Sequence, residues 1–270
     1  MTRLTDETGK GFPAMLPEEL AKRLAEAVKR TGMSREGLIE LALKHFLKPE
    51  AGGSPVYLSA PVNALMKGIY RERTTIADVK KHGDFGLGTF NNLDGEMMLL
   101  DNVAYQLRTD GLTSVVAENV QTPFACASFF NPLSVEEVQS EMDYAAFKAL
   151  LGRLIPSQNL FHAIRVDGEF RRIKMWSVTA QPDRRPINQV HPVPFEFYEV
   201  KGTLAGFFTP QFMKDLCMPG FHLHFLTDDR SHGGHLIECA MRRARIGVQL
   251  ISHLELDLPT TFDYLTAELS

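Results

Sequence analysis

Three histidines lie close together in one stretch of the chain, at a spacing that suits a metal ion. His222 and His224 are two residues apart, and His235 follows a polar loop that contains Gly233 and Gly234. Side chains two residues apart on a β-strand project from the same face, and a hairpin return would place His235 on the neighbouring strand. Three imidazoles with one open coordination position are the catalytic arrangement for zinc. The spacing therefore predicts a Zn²⁺ site, although imidazole also suits other divalent transition metals.

Two other interpretations of these histidines stay open from spacing alone. His222 and His224 could form an exposed pair on a polar strand face and bind nothing. His232 is an alternative ligand, but its position in the loop favours a solvated side chain.

The elements that must position the histidines are mostly strands. Short apolar runs separated by Asp94-Gly95 and Asp101-Asn102 predict a meander over 85–90, 96–100 and 103–107. The turn signal Asp167-Gly168 predicts a hairpin between strands at 160–166 and 169–178. Further strands are expected at 195–208, 220–227, 235–241 and 245–256. We therefore expect an α+β fold, in which a mixed β-sheet domain with helices is followed by an antiparallel β-barrel-like domain.

Helices are predicted where capping residues precede apolar runs. Thr75 with Asp78 begins a short helix, and Ser134 with Glu137 begins a longer one that continues to about Ile155.

A small helical unit precedes these domains. Apolar residues at four-residue spacing predict a helix over 17–30, which Thr31-Gly32 ends, and Ser34 caps a second helix. With the extended segment 11–16, this order resembles the ribbon-helix-helix family, in which a dimeric two-stranded ribbon reads DNA. The ribbon offers Lys10 as its basic residue, and Pro13 weakens its ladder. We therefore expect this unit to form a homodimer and not to bind DNA.

Domain boundaries follow from these patterns. Prolines and glycines over 49–55 indicate a linker. We expect a ribbon-helix-helix-like unit at 1–50, a linker at 51–56, the mixed-sheet domain at 57–168 and the barrel domain at 169–270.

Composition excludes several classes of function. The 270 residues carry a net charge of −4, which gives no general attraction to nucleic acid. Apolar runs fall short of the ~20 residues that span a bilayer, and residues 1–11 lack a signal-peptide pattern, so we expect a cytoplasmic protein. Three cysteines without a CxxC pair predict buried reduced thiols. The sequence contains no glycine-rich phosphate loop, so it does not predict a nucleotide cofactor.

Three stretches of the chain resemble the acetolactate decarboxylase family. They are HLHFLTDDRSHGGH at 222–235, GDFGLGTFNNLDGE at 83–96 and VKGTLAGF at 200–207, and the likeness extends over about 60–268. The resemblance implies a zinc enzyme that converts 2-acetolactate to acetoin and carbon dioxide. It also implies that His222, His224 and His235 bind the metal, that Glu96 lies near it as the proton donor, and that Thr89 lines the site.

The sequence departs from the family at two places. Where the family usually has an arginine for the substrate carboxylate, this chain has Trp176, and Lys174 or Arg172 on the same strand face is a candidate replacement cation. Some members also carry a glutamate in a C-terminal tail that returns to the metal. The sequence ends at Leu269-Ser270 directly after the last predicted strand, so we expect no such tail.

Two further functions remain as alternatives. One is a relative of the family that acts on a different 2-hydroxy-3-keto acid, which Trp176 favours. The other is a catalytically inert zinc-binding regulator that uses its N-terminal helices on DNA.

Overall fold

The computed structural model describes residues 2–5, 11–14, 16–46, 54–132, 134–155, 157–183 and 185–269. The chain divides into two compact units. One comprises Met1–Ala51 with Lys148–Pro156, and the other comprises Gly52–Phe147 with Ser157–Ser270. Lys10 and residues 51–53 of the predicted linker lie outside the described residues.

The smaller unit begins with a two-stranded ribbon and two helices: β1 (Thr2–Thr5), β2 (Gly11–Ala14), α1 (Glu18–Thr31) and α2 (Arg35–Phe46). β1 and β2 pair antiparallel with each other. Gly32 ends α1 in the left-handed conformation at φ 71°, and the Ser34 hydroxyl accepts a hydrogen bond from the Gly37 N–H at 3.0 Å. Both predicted helices are thereby confirmed.

The larger unit contains a seven-stranded sheet, a barrel and short helices. Its elements up to Ser128 are β3 (Val56–Leu58), α3 (Val62–Met66), α4 (Ile76–Lys80), β4 (Phe85–Thr89), β5 (Glu96–Leu100), β6 (Val103–Leu107), β7 (Thr113–Val115) and β8 (Ala125–Ser128). The remaining elements of the chain are β9 (Ser134–Val138), α5 (Tyr144–Leu154), β10 (Phe161–Ser177), β11 (Val193–Thr209), β12 (Gly220–Thr227), β13 (Gly233–Ile251), β14 (Leu254–Leu256) and α6 (Phe262–Leu265). Residues 148–154 of α5 belong to the smaller unit.

The seven-stranded sheet has the order β14-β3-β8-β4-β5-β6-β7. It is mixed, because β14 runs parallel to β3 while the other pairs are antiparallel. The predicted meander forms its β4-β5-β6 part. Asp101 and Asn102 turn between β5 and β6 with φ of 51° and 65°, which these residue types tolerate.

The second sheet closes on itself. Its strands follow the order β10-β11-β12-β13, and β13 pairs back onto β10, with β9 attached to β13. The barrel packs against the seven-stranded sheet through one apolar core, in which the rings of Phe85 and Phe207 meet edge to face at 5.9 Å. The predicted fold class, a mixed sheet domain with an antiparallel barrel, is confirmed.

The predicted hairpin at Asp167-Gly168 is wrong, because β10 continues through it as one strand. Gly168 pairs with Gly202 on β11 and with Ala244 on β13. A Cβ atom at Gly168 would lie 2.8 Å from the Arg243 carbonyl oxygen. The glycine therefore permits close approach of the flanking backbone instead of a turn, and the predicted domain boundary at 168 falls inside this strand.

The predicted helix from Ser134 is also wrong. Ser134–Val138 forms β9, which pairs with β13 from Val138–Ala244 to Ser134–Val248. Helix α5 begins later, after Asp143 accepts a hydrogen bond from the Ala146 N–H at 2.8 Å. Pairing with a strand that is distant in sequence outweighs the local capping pattern.

The structure near the C-terminus differs from the predicted strands. β13 is a single strand where two were expected, because β10 pairs with it along most of its length. Residues 257–269 continue past the last strand, while the expectation that no tail glutamate returns to the metal stays a prediction. This segment returns to α3, where the Asn63 side-chain amide donates to the Leu269 carbonyl oxygen at 3.1 Å.

Candidate metal centre

Two neighbouring strands of the barrel present the three histidines. His222 and His224 lie on β12, and His235 lies near the start of β13, directly opposite His224. Opposite residues of an antiparallel pair share a face of the sheet. Gly206 of β11 permits this packing, since a Cβ atom there would lie 2.0 Å from the His222 carbonyl oxygen. The strand alternation and hairpin return predicted from the sequence are therefore confirmed.

The imidazole rings converge closely enough to share an ion. One ring nitrogen from each of His222, His224 and His235 lies within 4.8 Å of the other two. Nε2 of His224 and Nδ1 of His235 are 3.2 Å apart. Two nitrogens at 2.0–2.1 Å from one tetrahedral ion stand roughly 3.3 Å apart. The observed separation therefore fits two ligands of the same metal.

A backbone carbonyl orients the most deeply buried of the three rings. Nδ1 of His224 lies 2.7 Å from the carbonyl oxygen of Met97, which can only accept, so this nitrogen donates. Nε2 of His224 is left with its lone pair, directed towards His235. A hydrogen bond of this kind fixes both the tautomer and the orientation of a metal-binding histidine.

The chemistry of the donor set also fits a metal. Both ring nitrogens of His222 are buried and have no hydrogen-bond partner among the described residues, which is costly unless something binds them. Burial lowers the pKa of His222 to about 4 and lowers the pKa values of His224 and His235 well below the usual range. All three rings are thus neutral near pH 7, the form that binds metals.

Glu96 is the acidic group of the site. Its side chain reaches from the seven-stranded sheet, and Oε2 lies 3.4 Å from Nε2 of His224. The residue is 8% exposed, so it does not face water as an ordinary hairpin residue would. Burial raises the pKa of the Glu96 carboxyl to about 8. Perturbation of this size at a cavity is typical of groups that exchange protons during a reaction.

Thr89 holds the turn that precedes Glu96. The two residues are cross-strand partners on β4 and β5. The Thr89 hydroxyl donates to the Gly95 carbonyl oxygen at 2.7 Å, and this hydrogen bond is buried. Gly95 adopts φ 82°, a conformation that glycine reaches without strain. Thr89 therefore both lines the site and supports the backbone that carries Glu96.

A cavity of about 280 Å³ opens at the histidines. Its lining includes Thr89, Glu96, His222, His235 and Trp176. The indole ring of Trp176 stacks on His235, with ring centroids 4.1 Å apart and planes inclined by 21°. The two residues are partners on β10 and β13, so the strand register fixes this contact.

Two other candidates from the sequence are not brought to the cavity. Lys174 is not among its lining residues, and Arg172 forms ion pairs with Glu196 and Glu238. The expected replacement of an arginine by either cation therefore has no support in the described structure. His232 hydrogen-bonds to the Ser231 hydroxyl at 2.6 Å and lies outside the group of three converging histidines.

Most of the cavity wall could not be predicted from the residue pattern. Most of the remaining lining residues are apolar, and many come from α3, from the segment after β10 and from the loop before β12, among them Val62, Leu65, Met66, Ile187, Val190, Pro192 and Met218. In a sequence such residues look like ordinary core or loop positions. Pro61 before α3 and the prolines at 182, 186 and 192 indicate turns, but they do not reveal a cavity.

The fold of the larger unit is that of a known family of decarboxylases. The family model described as alpha-acetolactate decarboxylase matches residues 56–270. The chain therefore belongs to the alpha-acetolactate decarboxylase family, which confirms the resemblance of its motifs. A second family model, the ribbon-helix-helix protein of the copG family, matches residues 14–50.

Individual relatives agree with this assignment. Proteins named alpha-acetolactate decarboxylase from Raoultella terrigena and Klebsiella aerogenes are each 40% identical over 220 residues, covering 80% of this chain and 85% and 84% of theirs. The X-ray structure of alpha-acetolactate decarboxylase from Bacillus subtilis strain 168 superposes with a TM-score of 0.78 at 32% identity. That match covers 80% of this chain and 94% of that one.

The remaining sequence predictions concern cysteines and membranes. Cys126, Cys217 and Cys239 are buried and free, as predicted. Among the described helices, none combines the length and apolar character needed to cross a bilayer.

Proposed function

We propose that this protein is a metal-dependent decarboxylase that converts 2-acetolactate to acetoin and carbon dioxide. His222, His224 and His235 would hold the metal, and Zn²⁺ is the ion we propose. The observation that carries the proposal is the convergence of three neutral imidazoles and one buried carboxyl group beside a cavity, in a chain of this family.

The reaction breaks the bond between the carboxylate carbon and C2 of the substrate. The electron pair of that bond moves into the neighbouring ketone, which leaves an enediolate, and carbon dioxide departs. A bound metal would supply Lewis-acid stabilisation for the negative charge on the substrate oxygens. A proton must then reach C2 to give acetoin.

Glu96 is the proposed source of that proton. Its carboxyl group lines the cavity and lies 3.4 Å from His224, so a substrate next to the histidines is within its reach. The Thr89 hydrogen bond to Gly95 holds the hairpin that carries it. Protonation from one side of a planar enediolate yields one enantiomer of acetoin, and solvent restores the proton on Glu96.

The surroundings of the site keep water away from the reacting carbon. Leu93, Phe124 and Val178 border the cavity and are nearly fully buried. An apolar wall lowers the local dielectric response and thereby strengthens the interaction of the reacting charge with fixed groups.

Three finer statements about the protein stay predictions. The N-terminal unit is expected to form a homodimer and not to bind DNA, and the expected location is the cytoplasm. Glu268 lies in the C-terminal segment that returns to α3, but it is exposed and does not line the cavity.

Metal content and turnover test the proposal together. Purified protein is analysed for bound metals and then given racemic 2-acetolactate, while acetoin formation is followed over time. We expect one transition-metal ion per chain, loss of activity with a chelator and recovery with Zn²⁺. Metal-loaded protein that forms no acetoin would refute the proposed reaction.

A matched pair of histidine variants separates the metal site from general effects. His222→Ala breaks no hydrogen bond in the described structure, so the fold should persist while bound metal and activity are lost. His232→Ala removes a neighbouring imidazole outside the group and should keep both. Equal loss of metal in the two variants would contradict the assigned ligands.

A further inference from the structure

The cavity has two chemically different parts. Its polar groups are Thr89, Glu96 and the imidazoles of His222 and His235. The other part is an apolar wall, which we define as Val62, Leu65 and Met66 of α3 with Ile187, Val190 and Pro192 of the following segment. A substrate that reacts at the polar groups therefore directs its remaining atoms towards hydrocarbon.

Positive side chains are missing from this lining. Among the described residues that border the cavity, none is a lysine or an arginine. Arg172 is held in ion pairs with Glu196 and Glu238. Binding energy that is not supplied by a cation at the substrate carboxylate must come from elsewhere, and the apolar wall is the largest surface available for it.

The volume of the cavity exceeds what a methyl-substituted acid requires. An apolar cavity of about 150 Å³ accommodates benzene, so one of about 280 Å³ has room for about eleven non-hydrogen atoms, against about nine in 2-acetolactate. The apolar parts of 2-acetolactate are two methyl groups. Wall atoms that the ligand does not reach make no dispersion contacts with it.

Trp176 connects the wall to the metal centre. Its indole is stacked on His235 at 4.1 Å and borders the cavity with its remaining surface. A flat aromatic surface beside the reacting atoms favours hydrocarbon over charge, since the indole offers one N–H donor and no positive charge.

We propose that Trp176 and the apolar wall make this enzyme selective for 2-hydroxy-3-oxo acids whose alkyl substituent at C2 is longer than methyl. This inference rests on the proposed function. It assigns Trp176, Val190 and Met66 as specificity-determining residues for that reaction.

Binding of unreactive analogues tests the inference without turnover. The probes are the 2-hydroxy-2-methyl acids from propanoate to hexanoate, which lack the 3-oxo group and cannot lose carbon dioxide by this route. Affinities are measured by calorimetry on metal-loaded protein. Trp176 is the single tryptophan of the chain, so its fluorescence reports occupancy of the same site. Each added methylene should tighten binding about fourfold until the cavity is filled. Constant or falling affinity along the series would overturn the proposal.

Turnover of substrates provides an independent test of the proposed selectivity. The ratio of kcat/KM for the 2-propyl substrate to that for the 2-methyl substrate should be about tenfold or more in the wild type, from two methylenes. A ratio of one or less would overturn the proposed selectivity. If neither substrate is decarboxylated, the proposed function fails, while the binding series still decides how the cavity discriminates.

Cavity-filling variants locate the selectivity. Val190→Phe should lower the ratio at least fivefold. Val193→Phe introduces the same side chain three residues later, at an exposed position outside the lining, and should leave the ratio unchanged. Met66→Phe, at a position that is 39% exposed, provides a second wall variant that the fold tolerates. An unchanged ratio in a folded wall variant would refute the role of the wall.

Discussion

His162 makes the stability of the larger unit sensitive to acid. It lies on β10 with Phe208 and Leu250 as its cross-strand partners, and it is fully buried. Neither ring nitrogen has a hydrogen-bond partner of good geometry among the described residues. Burial lowers the pKa of His162 to about 4, and the backbone at Leu160 counteracts this only in part. The folded protein therefore holds His162 neutral under conditions in which an unfolded chain would protonate it.

The sign and size of the effect follow from these two pKa values. The unfolded chain takes up a proton at His162 below about pH 6.5, while the folded chain does so only below about pH 4. The stability that the folded protein has with His162 buried in its neutral form is therefore fully present above about pH 6.5. It is lost as the pH falls towards 4, because the unfolded chain then takes up the proton first. Between pH 7.5 and 5.0 this single group lowers the free energy of unfolding by about 2 kcal/mol.

The variant His162→Leu removes the titrating group and keeps an apolar side chain. Thermal or urea unfolding of both proteins at pH 7.5 and pH 5.0 gives the pH-dependent loss for each. We expect the loss in the variant to be smaller by about 2 kcal/mol, which corresponds to about 4–8 °C in Tm. His222 lies two strands away, about 10 Å, so its own titration contributes equally to both proteins. An identical acid-induced loss in both would refute the reasoning.

Three further changes test the site. Glu96→Gln should lower kcat about 10²- to 10⁴-fold with bound metal retained. The control variant Glu118→Gln, at the surface, should have no effect. Equal activity of the two variants would exclude Glu96 as the proton donor. Thr89→Val removes the buried hydrogen bond to Gly95 and should lower the free energy of unfolding by about 1–3 kcal/mol. Thr89→Ser restores the hydroxyl and should recover that stability. Denaturant unfolding measures the change, and an unaltered unfolding midpoint in Thr89→Val would contradict the prediction. Trp176→Arg should raise turnover of 2-acetolactate and weaken binding of the longer analogues, and no change in either would show that position 176 does not contact the substrate.

Local sequence was sufficient for the histidine motif and for several elements around it. The two-residue spacing of His222 and His224 and the return to His235 depend only on strand alternation and a hairpin, which short-range geometry dictates. The β4–β5 hairpin with Thr89 and Glu96 follows in the same way from Asp94-Gly95. Cap and stop residues defined α1 and α2 for the same reason.

Local patterns failed where long-range pairing competes with them. The capping residues at Ser134 lie in a strand because β13 offers a complete ladder there. Gly168 lies inside β10 because backbones on both sides need its missing side chain. In each case the hydrogen-bond partners are residues far away in the sequence, so the local sequence pattern does not predict these hydrogen bonds.

The environment of the site came from tertiary structure alone. The hydrogen bond from His224 to the Met97 carbonyl and the approach of Glu96 to His224 join two sheets that are remote in sequence. The stacking of Trp176 on His235 and the apolar wall likewise require α3 and the segment after β10 to fold against the barrel. Residue type and spacing can predict a metal ligand, because the chemistry of a ligand belongs to its own side chain. The size and polarity of a cavity depend on which surfaces the folded chain brings together.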